Sequence, residues 1–183
     1  MGERIPDEAL VGAFIRGDEA VFDAIVSRYS ADVTNLANRL LAWPGDVDDV
    51  IQEVFLAAYI NLKRFRGQCS LRTWLFTITI NKCRSQTRRQ WIRRKVLAGL
   101  AQRAETYMQA GGSNGELVEA VSRSLQRLSA RYREPVILYY LEGLSVEQIG
   151  AVLKLSPNAV HVRLNRARKR LKEHLVSWEH RHE

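Results

Sequence analysis

An all-α chain of two small helical domains joined by a flexible linker is predicted by three features of the sequence. Apolar residues recur at intervals of three and four along most of the chain, and no convincing strand appears. One stretch, Ala110-Gly111-Gly112-Ser113-Asn114-Gly115, has the composition of a linker and interrupts that period. After it, two helix-start signals stand so close together that only a tight turn fits between the helices they open. At about 100–200 residues per domain, a chain of 183 residues holds one ordinary domain or two small ones. The decay of the pattern between Arg93 and Glu116 favours two, covering 1–92 and 117–183, with a flexible linker over 93–116.

The elements follow in order. Leu10, Val11, Phe14 and Ile15 form a short first stripe that Gly17 breaks, and Asp18 is placed to cap a second helix carrying Val21, Phe22, Ile25, Val26 and Tyr29. Leu36, Leu40 and Leu41 belong to a third helix, which Trp43-Pro44-Gly45-Asp46 stops because proline cannot continue a helix. A fourth helix runs from about Asp48 to Leu62. Phe65 to Ser70 reads as a loop, and Ser70 is placed to cap a fifth helix bearing Leu71, Trp74, Leu75, Ile78 and Lys82. Within it, Thr73 to Ile80 is rich in β-branched residues, yet the flanking period argues for helix. Trp74 shares the stripe of Leu71 and Ile78 and is read as core, while Phe76 stays open between core and a stacking role. Beyond the linker come helices over Leu117–Leu128 and Arg131–Leu141. Ser145 with Gln148 then fits a capping box, and Ser156-Pro157 opens a last helix towards Leu175.

Charge is unevenly distributed. Residues 1–61 carry 11 acidic and 4 basic residues; residues 62–104 carry 12 basic and none acidic; the remainder carries 12 basic and 9 acidic, leaving the chain at +8. Ordinary solvated surfaces mix signs, so the acid-free stretch points to a polyanion. No apolar run approaches a membrane span, the N-terminus has no signal-peptide pattern, and Cys69 and Cys83 make neither a disulfide framework nor a metal-ligand spacing. A reducing cytoplasm is the expected setting, with no membrane insertion.

The last helix carries Val160, Leu164, Ala167, Leu171 and Leu175 on one stripe, at about 100° per residue, which makes that stripe its core face. The opposite side carries Asn158, Val162, Asn165, Arg166 and Lys169, with His161 at its edge. Asn, Arg and Lys on one exposed side offer donors to base edges and charge to phosphates. A capped helix and a tight turn before it complete a frame that sets one helix in the major groove.

Two blocks then resemble a known family. DDVIQEVFLAAYINLKRFRG with SLRTWLFTITINKCRSQTRR, and LSARYREPVILYYLEGLSVEQIGAVLKLSPNAVHVRLNRARKRL, in this order and separated by a flexible stretch, resemble the bacterial sigma factors of the extracytoplasmic-function group, over roughly residues 8–175. The resemblance implies a sigma region 2 bundle and a sigma region 4 helix-turn-helix. It implies a subunit that brings RNA polymerase to promoters of a stress- or signal-responsive regulon and opens them. Its implied partners are core polymerase, through the β′ coiled coil and the β flap, promoter DNA and an anti-sigma factor. It implies no catalytic residue, metal or cofactor.

By position in those motifs, Asp49, Gln52, Glu53 and Leu56 of the fourth helix are the expected polymerase-binding face; their spacing of three and four puts them on one side. Phe65, Arg66, Gly67 and Gln68 in the loop, and Asn81, Arg84, Ser85, Arg88 and Arg89 on the fifth helix, are the expected −10 contacts. Melting needs cations for phosphates and surfaces for unpaired bases. Asn81 suits a base edge, and the arginines suit phosphates. His161, Val162, Asn165 and Arg166 are expected at or near the bases of the −35 element, with Asn158, Arg163 and Lys169 beside them. The chain has His161-Val162 where the commoner family pattern has Lys-Ser.

A stand-alone helix-turn-helix regulator explains the second block but leaves DDVIQEVF and the acid-free stretch without a task. An enzyme is disfavoured: the four histidines fall in the last quarter, and no phosphate-cradling or zinc-binding motif is present. His180 and His182 belong to a terminus expected to fray, and Cys69 and Cys83 are read as a loop and a helix residue.

Overall fold

A computed structural model describes residues 5–41, 46–98 and 116–179, and all of its regular structure among these is helical. The turn at Trp43-Pro44-Gly45, the Gly-rich stretch at 110–115 and the two terminal histidines lie outside the described residues, as does the side chain of Leu175. Contacts divide the chain into two compact units, Met1–Arg103 and Ala104–Glu183.

The first unit comprises α1 (Asp7–Ile15), α2 (Val21–Leu40), α3 (Val47–Asn61), a single 3₁₀ turn (Leu62–Arg64) and α4 (Leu71–Ala98). The expected second and third helices are one. Nothing between Tyr29 and Leu36 breaks a helix, and the buried series Phe22, Ile25, Tyr29, Val33, Leu36, Leu40 keeps one stripe facing the core throughout. Asp18 does not cap it: α2 begins after Ala20 with no side-chain cap. Gly17, at φ +104°, makes the turn instead, and the Asp18 amide returns to the Ala13 carbonyl at 3.1 Å. Asp7, bonded by both Arg28 and Tyr29, ties α1 to α2. Phe14, Phe22 and Tyr59 meet with ring centroids 5.2–5.8 Å apart, joining α1 and α2 to α3.

The β-branched run of α4 is helical for a visible reason. Thr77 and Thr79 donate their hydroxyls to the carbonyls four residues back, at 3.1 and 2.9 Å, so their polar atoms are satisfied inside the helix. Ser70 caps α4 as expected, accepting from the Thr73 amide at 3.1 Å. Phe76 is fully buried, which settles it as core. Trp74 is only half-buried, packed on Phe65 at 5.2 Å, so it stands at the edge of the core rather than within it. With no proline or glycine before Gly99, α4 runs on to Ala98, past residue 92.

The second unit comprises α5 (Glu116–Arg127), α6 (Ala130–Val136), a π-helical turn (Ile137–Leu141), α7 (Val146–Leu153) and α8 (Pro157–Glu179). Pro135 lies inside α6, removes a backbone donor, and the following turn widens to π geometry instead of continuing as the single α-helix expected over Arg131–Leu141. Gly143, at φ +67°, ends it. The Ser145–Gln148 capping box is complete in both directions, and Ser156 accepts from the Ala159 amide at 3.2 Å. Lys154, left-handed at φ 56°, turns the chain between α7 and α8. At Gly150 a Cβ would lie 2.8 Å from the Leu155 carbonyl oxygen, so this elbow has no room for a side chain. Val160, Leu164 and Ala167 are buried, and α8 packs on α5, α6 and α7.

Candidate polymerase and nucleic-acid interfaces

On α3, Asp49 and Gln52 are exposed, and Leu56 is 61% exposed. Ile60, at 65%, extends the same stripe by one turn. Sequence reasoning missed it, although its position four residues after Leu56 was the available signal. Two large aliphatic side chains beside a carboxylate and an amide make a surface suited to another protein.

Glu53 behaves differently. Its carboxylate turns towards α4 and pairs with Lys82 and Arg89, each at 3.0 Å. The Arg89 and Lys82 hydrogen bonds hold its carboxyl below the usual carboxylate range. It is therefore first a clasp between α3 and α4. Arg89, expected beside Arg84 and Arg88, is brought to α3 by the same pairing. Gln90 donates to Asp46 at 2.6 Å on this side of α4. Asp46, Asp49, Gln86, Arg89, Gln90 and Arg93 line a polar groove of about 320 Å³.

Asn81, Arg84, Ser85 and Arg88 are all exposed on α4, and helix geometry turns Asn81, Arg84 and Arg88 away from that packed side. In the preceding loop Arg66, Gly67 and Gln68 are exposed, with Gly67 at φ +66°. Phe65 is half-buried against Trp74, the two rings tilted by 51°, so one side of its ring is already covered. Burial pushes the Cys69 thiol up, away from the reactive thiolate, and Cys83 is buried.

In the second unit Asn158, His161, Val162, Asn165, Arg166 and Lys169 are exposed along α8, and Arg163 is half-buried at its flank. Arg168 donates to the side-chain Oδ1 of Asn165, leaving the Nδ2 amide of Asn165 to donate to another acceptor. Tyr132 of α6, 8% exposed, organises the cations next to it. Arg166 bonds its hydroxyl and holds the phenol below its usual range, while the Arg170 guanidinium lies 4.5 Å from its ring. No sequence pattern marked Tyr132, because the contact joins separate helices. At the start of α7, the backbone amide and the Ser145 hydroxyl lower the Glu147 carboxyl. Tyr139, Tyr140 and Leu141 on the π turn are 40–51% exposed and form an apolar patch in which the two tyrosine rings meet edge to face.

Comparison with known proteins agrees with this division. The family model described as Sigma-70 region 2 matches residues 25–93, and that for Sigma-70, region 4 matches residues 119–171. The ECF RNA polymerase sigma-E factor of Escherichia coli K12 is 33% identical over 181 residues, covering 92% of this chain and 94% of that one. Its counterpart from Haemophilus influenzae is 31% identical over 180 residues, covering 92% and 95%. Among solved structures, CnrH in complex with the cytosolic domain of CnrY superimposes with a TM-score of 0.70 at 30% identity, covering 93% of this chain and 97% of that one. RpoE bound to the anti-sigma factor NepR from Bartonella quintana gives 0.70 at 25% identity, covering 84% and 96%.

Proposed function

This chain belongs to the extracytoplasmic-function sigma factors of the sigma-70 family, non-enzymatic subunits that direct transcription initiation by RNA polymerase, and we propose how its surfaces divide that work. The exposed stripe Asp49, Gln52, Leu56 and Ile60 docks α3 on the polymerase β′ coiled coil. Glu53 supports the stripe from behind by fastening α3 to α4. The loop Phe65–Gln68 and the exposed side of α4 take the −10 element. Asn81 reads a base edge, Arg84 and Arg88 hold phosphates, and Phe65 with Trp74 provides an aromatic platform for an unpaired base. In the second unit α8 enters the major groove of the −35 element with His161, Val162, Asn165 and Arg166 towards the bases, and Asn158, Arg163 and Lys169 beside them. The Tyr139–Leu141 patch faces protein, on the β flap.

The observation that carries this reading is the separation of tasks on one pair of helices. The partner-facing stripe of α3 is apolar and acidic, the outer side of α4 is basic, and the Glu53 clasp holds the two in fixed register. A stand-alone DNA-binding regulator has no use for the first of these surfaces. The chain therefore works where the polymerase and the chromosome are, in the cytoplasm. The two solved relatives are each in complex with another protein, one of them named as an anti-sigma factor, which supports an anti-sigma factor as a partner of this chain.

Initiation assays with reconstituted holoenzyme test the assignment. Leu56→Glu should abolish stable assembly with core polymerase while leaving the thermal unfolding of the chain unchanged, since Leu56 is exposed. Arg84→Glu with Arg88→Glu should leave assembly intact and lower the salt slope of promoter binding by about one for each lost phosphate contact. Normal assembly by the first variant, or an unaltered salt slope in the second, defeats the corresponding assignment.

A further inference from the structure

The proposed −10 surface of α4 does not stop at Arg88. At about 100° per residue, Asn81, Arg84, Arg88, Trp91 and Lys95 fall within an arc of about 80° on one side of the helix. The opposite side is the one that meets α3 through Gln86 and Gln90. Trp91 is 61% exposed, the most solvent-accessible large apolar side chain on α4 among the described residues. The Lys95 ammonium lies 5.1 Å from the indole centroid. The ring thus has a cation over one face while most of its surface meets solvent. On a helix side that already carries Asn81, Arg84 and Arg88, the indole offers an apolar body and a polar N–H to a partner.

We infer that Trp91 and Lys95 form a second DNA contact on α4, which binds the sugar–phosphate backbone of double-stranded DNA flanking the melted −10 element on the side of the −35 element. This rests on the assignment of Asn81 to the −10 element. Charge complementarity selects nucleic acid over protein, because the whole stretch 62–104 contains 12 basic residues and no acidic one. The duplex is favoured over the single strand by position. Ten residues of helix place Trp91 about 15 Å along the axis from Asn81, equal to about four base pairs of rise. It is also at the end of α4 away from the loop that receives unpaired bases. Downstream of the −10 element the strands are separated, so the duplex adjoining it lies on the −35 side, which selects the flank. With one face covered by Lys95, the indole is not free for sandwich stacking between two bases. Its remaining face can lie against a deoxyribose and its N–H can donate to a phosphate, while Lys95 and Arg88 neutralise the neighbouring charges.

Two probes built on a promoter that the holoenzyme opens separate the possibilities. One carries the melted −10 strand with a duplex arm towards −35; the other ends at the −10 edge. With reconstituted holoenzyme, Trp91→Ala should weaken binding to the armed probe by roughly three- to tenfold and leave the short probe unchanged, with Trp91→Phe retaining part of the affinity. Lys95→Ala should lower the salt slope on the armed probe alone by about one. Equal losses on both probes, no loss on either, or a Trp91→Ala defect in binding core polymerase would each overturn the inference. The last would hand the indole to a protein. Asn81→Ala on the short probe is the separate control. Full affinity there defeats the −10 assignment itself, and with it the position assigned to Trp91, whereas a loss there with no Trp91 effect defeats only the second contact.

Discussion

The two units solve one problem differently. Each must hold a basic helix against its own core while leaving the cations outside. In the first unit, α4 is held partly by charge: Glu53 takes Lys82 and Arg89 at 3.0 Å, and Asp32 takes Arg72 at 2.9 Å. In the second unit, α8 is held by shape. Val160, Leu164 and Ala167 fill the core, Gly150 admits the backbone of the turn, and the Tyr132 ring and hydroxyl gather Arg170 and Arg166. The first arrangement is sensitive to acid and salt; the second is sensitive to volume and backbone conformation.

Four substitutions break or sharpen that contrast. Phe76→Ala removes a fully buried ring from α4 and should cost about 3–5 kcal/mol. Domain-resolved hydrogen exchange should show the loss in the first unit alone, and an equal loss in the second would mean the units do not fold separately. Gly150→Ala should destabilise the second unit by about 1–3 kcal/mol, because the methyl meets backbone at 2.8 Å. It should also weaken −35 binding while the unfolding of the first unit is unaffected. Ser145→Ala removes the hydroxyl half of the capping box and should cost about 1 kcal/mol by chemical denaturation.

The smallest effect belongs to the charged unit. Glu53→Gln should cost less than about 1 kcal/mol, since the pair is partly exposed and screened. Its pH dependence is the more telling quantity. The Glu53 carboxyl is lowered in the folded state, so its contribution is present above the unfolded carboxylate value, here 4.5, and is lost as pH falls through the lower folded value. Melting curves of the wild type should therefore lose stability relative to Glu53→Gln on acidification below that point. Parallel curves would remove the clasp as a source of acid sensitivity.

Much of this was readable in one dimension. The caps at Ser70, Ser145 and Ser156, the loop after α3 and the core stripe of α8 follow from local chemistry that acts within four residues. The merging of two expected helices into α2 was hidden because the absence of a breaker is a weaker signal than a gap in the apolar stripe. Pro135 was legible as a residue, but its outcome, a π turn rather than a break, depends on the burial of Ile137 and Leu138 that holds the next turn in place. Glu53 shows the limit most clearly. Its spacing puts it on the same face as Asp49 and Leu56, yet its carboxylate answers to Lys82 and Arg89, 29 and 36 residues away. Ile60 and Trp91 were missed for the opposite reason. An exposed apolar residue and a buried one look alike until the packing partners are known.

The elbow at Gly150 has an implication for anyone wishing to redirect this protein to other genes. With no space for even a methyl group, the angle between reader and support is not adjustable by substitution at that point. His161, Val162 and Asn165 project into solvent and can be exchanged without disturbing the frame that presents them. Retargeting is then a matter of rewriting a few letters on a fixed stylus, and libraries confined to those positions should yield altered preferences without loss of yield or solubility.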